Sequence, residues 1–273
     1  MALHATHFVG GNFEIRQVGR NDYQIDFVIF RDVKGQTLQP IYFASIYENS
    51  PTLNWPQLDT VALKVYDTIP VNLNAPCIET ADLQFAEYRY RGNITIPDLQ
   101  SGYLVTLQMC CRNALIGNMV VDPNTTGINF TAEIPDPALA GGNQTPLLGG
   151  YPESGFFCLN NLREIDFSAY DEDGDSLTYQ LVVPLDIEEF GFNHPPVYKL
   201  MKYLPGFDLQ NTLGGSPPLT IELETGLLSG FAPEINVYVF SYVVSEYRDG
   251  TKIGEVRRDI QFYTLDCEPE KPP

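Results

Sequence analysis

Histidine, tryptophan and basic residues are scarce in this chain. Its 273 residues include three histidines, one tryptophan and sixteen lysines and arginines, set against thirty-five acidic residues for a formal charge of −19. So negative a chain opposes the phosphate neutralisation that nucleic-acid binding needs, and an anionic membrane surface repels it. Three histidines leave few bases for a Ser–His–Asp or Cys–His arrangement, and there is no Gly-x-Ser-x-Gly elbow, phosphate-cradling glycine loop or zinc-spaced Cys/His set. His4 and His7 read as part of a leader and His194 as a loop residue beside Pro195. No apolar run is long enough for a membrane-spanning helix, and no long amphipathic helix stands out. Among enzymes, the composition leaves open a hydrolase that draws two carboxylates from distant strands.

What is abundant points to β-structure. Hydrophobic residues make up 44% and aromatics 12%, and 22 glycines and 21 prolines divide stretches rich in Tyr, Phe, Val, Ile and Thr. Short strands separated by turns follow from that mixture. The length suits one large or two medium domains.

Residues 12–18 and 23–31 read as a hairpin, with Tyr23, Ile25, Phe27 and Ile29 on one face. Strands follow at 41–47 and 60–66, and the loop between them holds Trp55 before Pro56. Residues 83–96 alternate aromatic and charged side chains and read as a solvent-facing strand pair interrupted at Gly92. Strands at 102–112 and 128–134 bring the first half to about seven, the number of a β-sandwich. Residues 137–155 lose periodicity and carry Gly141-Gly142 and Gly149-Gly150, which suggests a Pro/Gly-rich linker between domains 1–136 and 156–268. In the second half, 184–218 reads as a long irregular loop, and 237–247 and 252–265 as strands joined by the hairpin turn Arg248-Asp249-Gly250-Thr251. Residues 269–273 read as a proline-rich tail cut from a longer chain.

The densest chemistry lies in Tyr170–Leu181, where Asp171, Glu172, Asp173 and Asp175 surround Gly174 just before the alternating Leu177, Tyr179 and Leu181. Alternate residues of an extended segment can aim at one point, so Asp171, Asp173 and Asp175 are candidate ligands for calcium, a hard cation that takes six to eight oxygens. The spacing is not that of an EF-hand, since position twelve from Asp171 is Val182. The plainer alternative is a solvated acidic turn. Trp55, Tyr88 and Tyr90 are a candidate flat platform for sugar rings, against the alternative of core or cross-strand packing.

Cys77, Cys110, Cys111, Cys158 and Cys267 lean toward an oxidising compartment. The odd count leaves at least one free or paired elsewhere. On a strand, Cys110 and Cys111 point to opposite faces and so should seek different partners.

Several segments together resemble one family. Thr6-His7-Phe8-Val9-Gly10-Gly11, Phe30-Arg31-Asp32 and Cys110-Cys111-Arg112-Asn113 look like the N-terminal region of large surface proteins associated with gliding motility in Bacteroidetes, which leave the cell by the type IX route. Asp171–Leu177, Thr225-Gly226-Leu227-Leu228-Ser229-Gly230, Glu246-Tyr247-Arg248 and Arg257-Arg258-Asp259 agree with it, and are also similar to immunoglobulin-like or cadherin-like modules. The resemblance implies an extracellular, non-enzymatic adhesin or surface-fibre element, a removed signal peptide, and partners among other surface or fibre subunits or glycans. Glu246 becomes a fourth candidate calcium ligand, since cadherin-like modules place an acid at that strand end; the alternative is a surface acid beside Arg248. Two departures stand out: Val33 and Val182-Val183 occupy places where family members carry cysteines, and nothing matches the secretion-sorting domain with which such proteins usually end.

The expectation is therefore an all-β protein of two tandem antiparallel sandwich domains. A Cys158–Cys267 bridge would join the first and last strands of the second, closing a loop whose constraint contributes up to about 4.7 kcal/mol. Cys77 would then pair with Cys110 or Cys111. The competing function is a carbohydrate-binding module.

Overall fold

The computed structural model describes residues 8–35, 37–73, 83–97, 99–187 and 199–267. Among them there is no α-helix, and a 3-10 turn at Pro51–Leu53 interrupts an otherwise all-β chain. The first half supplies β1 (Phe8–Gln17), β2 (Asp22–Asp32), β3 (Ile41–Glu48), β4 (Gln57–Val71), β5 (Phe85–Thr95), β6 (Tyr103–Cys110) and β7 (Gly127–Ile134). The second supplies β8 (Phe156–Cys158), β9 (Leu162–Asp166), β10 (Ser176–Val182), β11 (Thr220–Ile221), β12 (Leu227–Phe231), β13 (Val237–Arg248) and β14 (Thr251–Leu265).

The large sheet runs β1-β2-β5-β4-β3-β6-β7-β14-β13-β10, and β14 also pairs with β1 and β8. Because β14 meets both β1 and β7, the last strand of the chain closes the first half into a ring. That closure depends on Gly10. Its φ of 149° is unfavourable for a side chain, and a Cβ there would overlap the Asp259 carbonyl oxygen. The turn between β13 and β14 is the tight one its sequence suggests, with Asp249 and Gly250 at φ 50° and 77°.

Inside the ring, alternate residues of the strands interdigitate. Phe27 lies 5.3 Å from Phe13 and 5.0 Å from Phe130 between ring centroids. In the second half β11, β12 and β9 form a small sheet over β13 and β14. Phe167, Phe240 and Phe262 fill the space between these layers, with Phe167 and Phe262 stacked at 5.8 Å.

Residues 83–96 differ from expectation. They form one continuous strand, β5, rather than a pair interrupted at Gly92, with β2 beside it along its length and β4 beside residues 85–91, and its charged face stays partly open to solvent, Arg91 at 39%. Its charged positions carry ion pairs: Arg91 grips Asp26 at 2.7 and 2.6 Å, and Arg89 bridges Glu87 and Glu14. The 137–155 stretch is a packed strap rather than a free linker. Tyr151 packs between Phe30, Phe85 and Phe262, and Thr145 exchanges hydrogen bonds with the Ile15 backbone.

Two of the quoted motifs meet here. Arg112, fully buried, donates to both Asp259 oxygens at 2.9 and 2.7 Å and to the carbonyls of Gly127 and Leu185. Arg258, buried beside it in sequence, bonds Asn12 and the carbonyls of Leu148 and Gly149, holding the strap against β14 and β1. A buried guanidinium needs this many acceptors to offset the loss of water.

Cys158 is bonded to Cys267 with 5.3 Å between their Cα atoms, where parallel β8 runs beside the end of β14. Cys110 is bonded to Cys111, contrary to the expectation of different partners. The alternation that separates neighbouring side chains stops with β6 at Cys110, so Cys111 is outside the ladder. Cys77, His4, His7 and His194 lie outside the described residues.

Candidate functional site

The acidic turn sits where three segments converge: the turn end of the β1–β2 hairpin, the strap at 143–147, and the β13–β14 hairpin. Asp171 opens it as an Asx turn, its Oδ1 accepting the backbone N–H of Asp173 and of Asp175 at 2.9 Å each. That local bonding folds the three carboxylates inward, and one oxygen from each of Asp171, Asp173 and Asp175 lies within 4.8 Å of the others. The turn is anchored outward as well. Gln144 N–H donates to Asp173 Oδ2 at 2.6 Å, Tyr170 and Leu147 form a β-bridge, and Arg16 reaches Glu172 at 3.4 Å.

Glu246 joins these three. It is 0% exposed, which corrects the alternative of a surface acid. On an extended strand Glu246 and Arg248 share one face, and that face is covered by the strap and the turn. The Asn143 amide donates to Glu246 Oε1 at 3.1 Å, while Glu246 Oε2 and Asp171 Oδ2 are buried with no donor. Burial foremost, reinforced by the charges of Asp171 and Asp175 and opposed by Asn143, pushes the Glu246 carboxyl up to about 8.

Asp175 has a different fate from its neighbours. Arg248 grips both its oxygens, Nε to Oδ1 at 2.8 Å and Nη2 to Oδ2 at 2.6 Å, and also donates to Asn143 Oδ1 at 3.0 Å. Arg248 and Asn143 were missed as members of the site. The first was legible from its two-residue spacing to Glu246; the second comes from the strap, whose path no periodicity reveals.

The aromatic platform does not assemble. Tyr90 is 1% exposed among Phe27 and Tyr42, with its hydroxyl donating to the Gln39 carbonyl at 2.8 Å. Tyr88 is half-buried beneath Arg31, and pairs with Thr68 near the far end of β4 from Trp55, itself half-buried. The register that sets Tyr90 opposite Phe27 and Tyr88 opposite Ile29 turns both tyrosines toward the ring interior. No protein-family model matches the chain, and no curated protein matches it.

Proposed function

We propose that the protein is a non-enzymatic extracellular surface module, an adhesin or a structural element of a cell-surface fibre linked to gliding motility or attachment, exported by the type IX route. The observation that carries this reading is the Cys158–Cys267 bond, which fastens the start of the second half to the end of the last strand. Such a bond persists in oxidising compartments and is rare in reducing ones. The −19 charge supports it by favouring solubility and discouraging nucleic-acid partners. In this reading the halves 1–136 and 156–268 are two β-sandwich units of the immunoglobulin-like or cadherin-like kind, sharing β14 so that tension entering one passes to the other. Its partners are further surface or fibre subunits. No observation favours the carbohydrate-binding alternative, since Trp55, Tyr88 and Tyr90 present no common face.

The test is location. Intact cells of the source organism treated with a membrane-impermeant lysine reagent should yield labelled protein, and non-reducing peptide mapping of that material should recover Cys158 joined to Cys267. Labelling that requires cell lysis, with free thiols at both positions, would oppose the proposal.

A further inference from the structure

We propose that the Cys110–Cys111 bond is a thiol-exchange site, opened by an external dithiol while Cys158–Cys267 stays closed, and that opening it loosens the hold of Arg112 on Asp259. Disulfide exchange is measured on purified protein wherever the protein resides, so its test is independent of the surface reading.

The two bonds differ in what they close. Cys158 and Cys267 are 109 residues apart in sequence, whereas Cys110 and Cys111 are neighbours. In the chain-entropy model a disulfide stabilises a fold by restricting the unfolded chain, and that restriction grows with the loop it closes. The effect is mutual, so the fold protects the long-range bond from reduction and gives the bond between neighbours little such protection. A bond that adds so little to stability can open and close within the folded protein.

Access separates them further. Cys158 is 6% exposed, on a strand paired with β14. Cys110 and Cys111 are both half-buried where the β6 ladder ends, and Cys110 Sγ lies 3.7 Å from the carbonyl oxygen of Asn124, an exposed residue. An attacking thiolate has to reach one of the sulfurs, so exposure decides which disulfide exchanges first.

A dithiol balances the chemistry. One of its thiolates attacks Sγ of Cys110 or Cys111, the S–S bond breaks, and the other cysteine sulfur leaves as a thiolate that takes a proton from solvent. The second thiolate of the reagent then displaces the mixed disulfide, and the cysteine sulfur it releases is protonated in turn. Two electrons and two protons pass to the pair, and the reagent leaves as a disulfide.

Arg112 carries the consequence, because it follows Cys111 directly. Its backbone N–H donates to the Thr126 carbonyl at 2.9 Å, and its guanidinium reaches the carbonyls of Gly127 and Leu185 and both oxygens of Asp259. All these contacts depend on where the chain leaves Cys111, a residue beyond the end of the β6 ladder. With the bond closed, Cys111 is fixed to its neighbour in one ring. Opening the ring returns rotational freedom to both side chains and to the backbone just before Arg112.

The experiment exposes the full chain, and its C158S/C267S and C110S/C111S variants, to graded dithiothreitol. Free thiols are trapped by alkylation and located by peptide mapping. Amide hydrogen exchange is read at Arg112 and Gly127, whose N–H groups donate to Thr126 and Asp186. Cys110 and Cys111 should be alkylated together at a dithiothreitol concentration about tenfold or more below that which frees Cys158 and Cys267. At that lower concentration, exchange at Arg112 and Gly127 should quicken about tenfold or more in the wild type and in C158S/C267S alike, with the middle of β13 unchanged. C110S/C111S should exchange at the faster rate without reductant and not respond to it; if it fails to fold, C158S/C267S carries the test. Cys158 and Cys267 freed before the pair or together with it overturns the exchange site. Cys110 and Cys111 reduced with exchange at Arg112 and Gly127 unchanged, or a folded C110S/C111S exchanging as slowly as the oxidised wild type, overturns the link to Arg112.

Discussion

Replacing Arg112 with methionine should cost more than any other single change at the junction of the two halves. The wild-type guanidinium is 0% exposed and makes four hydrogen bonds, two of them to Asp259, itself 2% exposed. Without it, Asp259 keeps only the Ser241 hydroxyl at 2.9 Å, and the carbonyls of Gly127 and Leu185 lose their side-chain donor. Breaking a buried ion pair from one side costs about 3–5 kcal/mol, a large fraction of the 5–15 kcal/mol that keeps a typical domain folded. Urea unfolding under non-reducing conditions, monitored by tyrosine fluorescence, would register the loss as a lower midpoint at unchanged slope. R112M/D259L should be less destabilised than the two single variants together predict, because it removes the orphaned charge. A cost below about 1 kcal/mol for R112M, or strictly additive effects, would refute the reasoning.

Three further outcomes follow from other parts of the structure. With chelator present, the Glu246 carboxyl, raised by burial to about 8, should make stability decline as pH rises from the ordinary glutamate range of about 4.5 through 8. The contribution is fully present below the unfolded value and lost above the folded one, amounting to roughly 3–5 kcal/mol, and E246Q should flatten that part of the pH–stability curve. G10A should lose at least about 2 kcal/mol and show faster amide exchange in β1 and the middle of β14, since its Cβ would collide with the Asp259 backbone. C158S/C267S should be less stable by about 2–5 kcal/mol in urea, with the difference from wild type vanishing in reductant.

The strands were largely legible because alternation survives wherever one face packs and the other does not. The hairpin at 12–31, the strands at 237–247 and 252–265 and the Asp-Gly turn between them all appear where their patterns put them. Alternation does not say which face is covered. In residues 83–96 aromatic and charged side chains alternate, and the charged row looks solvent-facing, yet Arg89 and Arg91 are paired with Glu14, Glu87 and Asp26 within the sheet. Nor does alternation give partners distant in sequence. β14 closes on β1 across almost the whole chain, and the local sign of it is Gly10, whose need arises from that remote contact. The strap at 137–155 lacks periodicity because its backbone carbonyls and single side chains make its contacts, Leu148 and Gly149 on Arg258 and Tyr151 between three rings. Within the site the three aspartates announced themselves by spacing, while the burial of Glu246 depended on the strap and was hidden with it.

The central claim is that the two halves share β14 and behave as one body under tension. Single-molecule stretching between the chain ends, in reductant so that Cys158 and Cys267 are free, tests it most directly. The account predicts one unfolding event that releases both halves together. Without reductant that event should shorten by the 109-residue disulfide loop, about 380 Å at roughly 3.5 Å per residue. Two separate events in reductant, each releasing about half the chain at its own force, would contradict it.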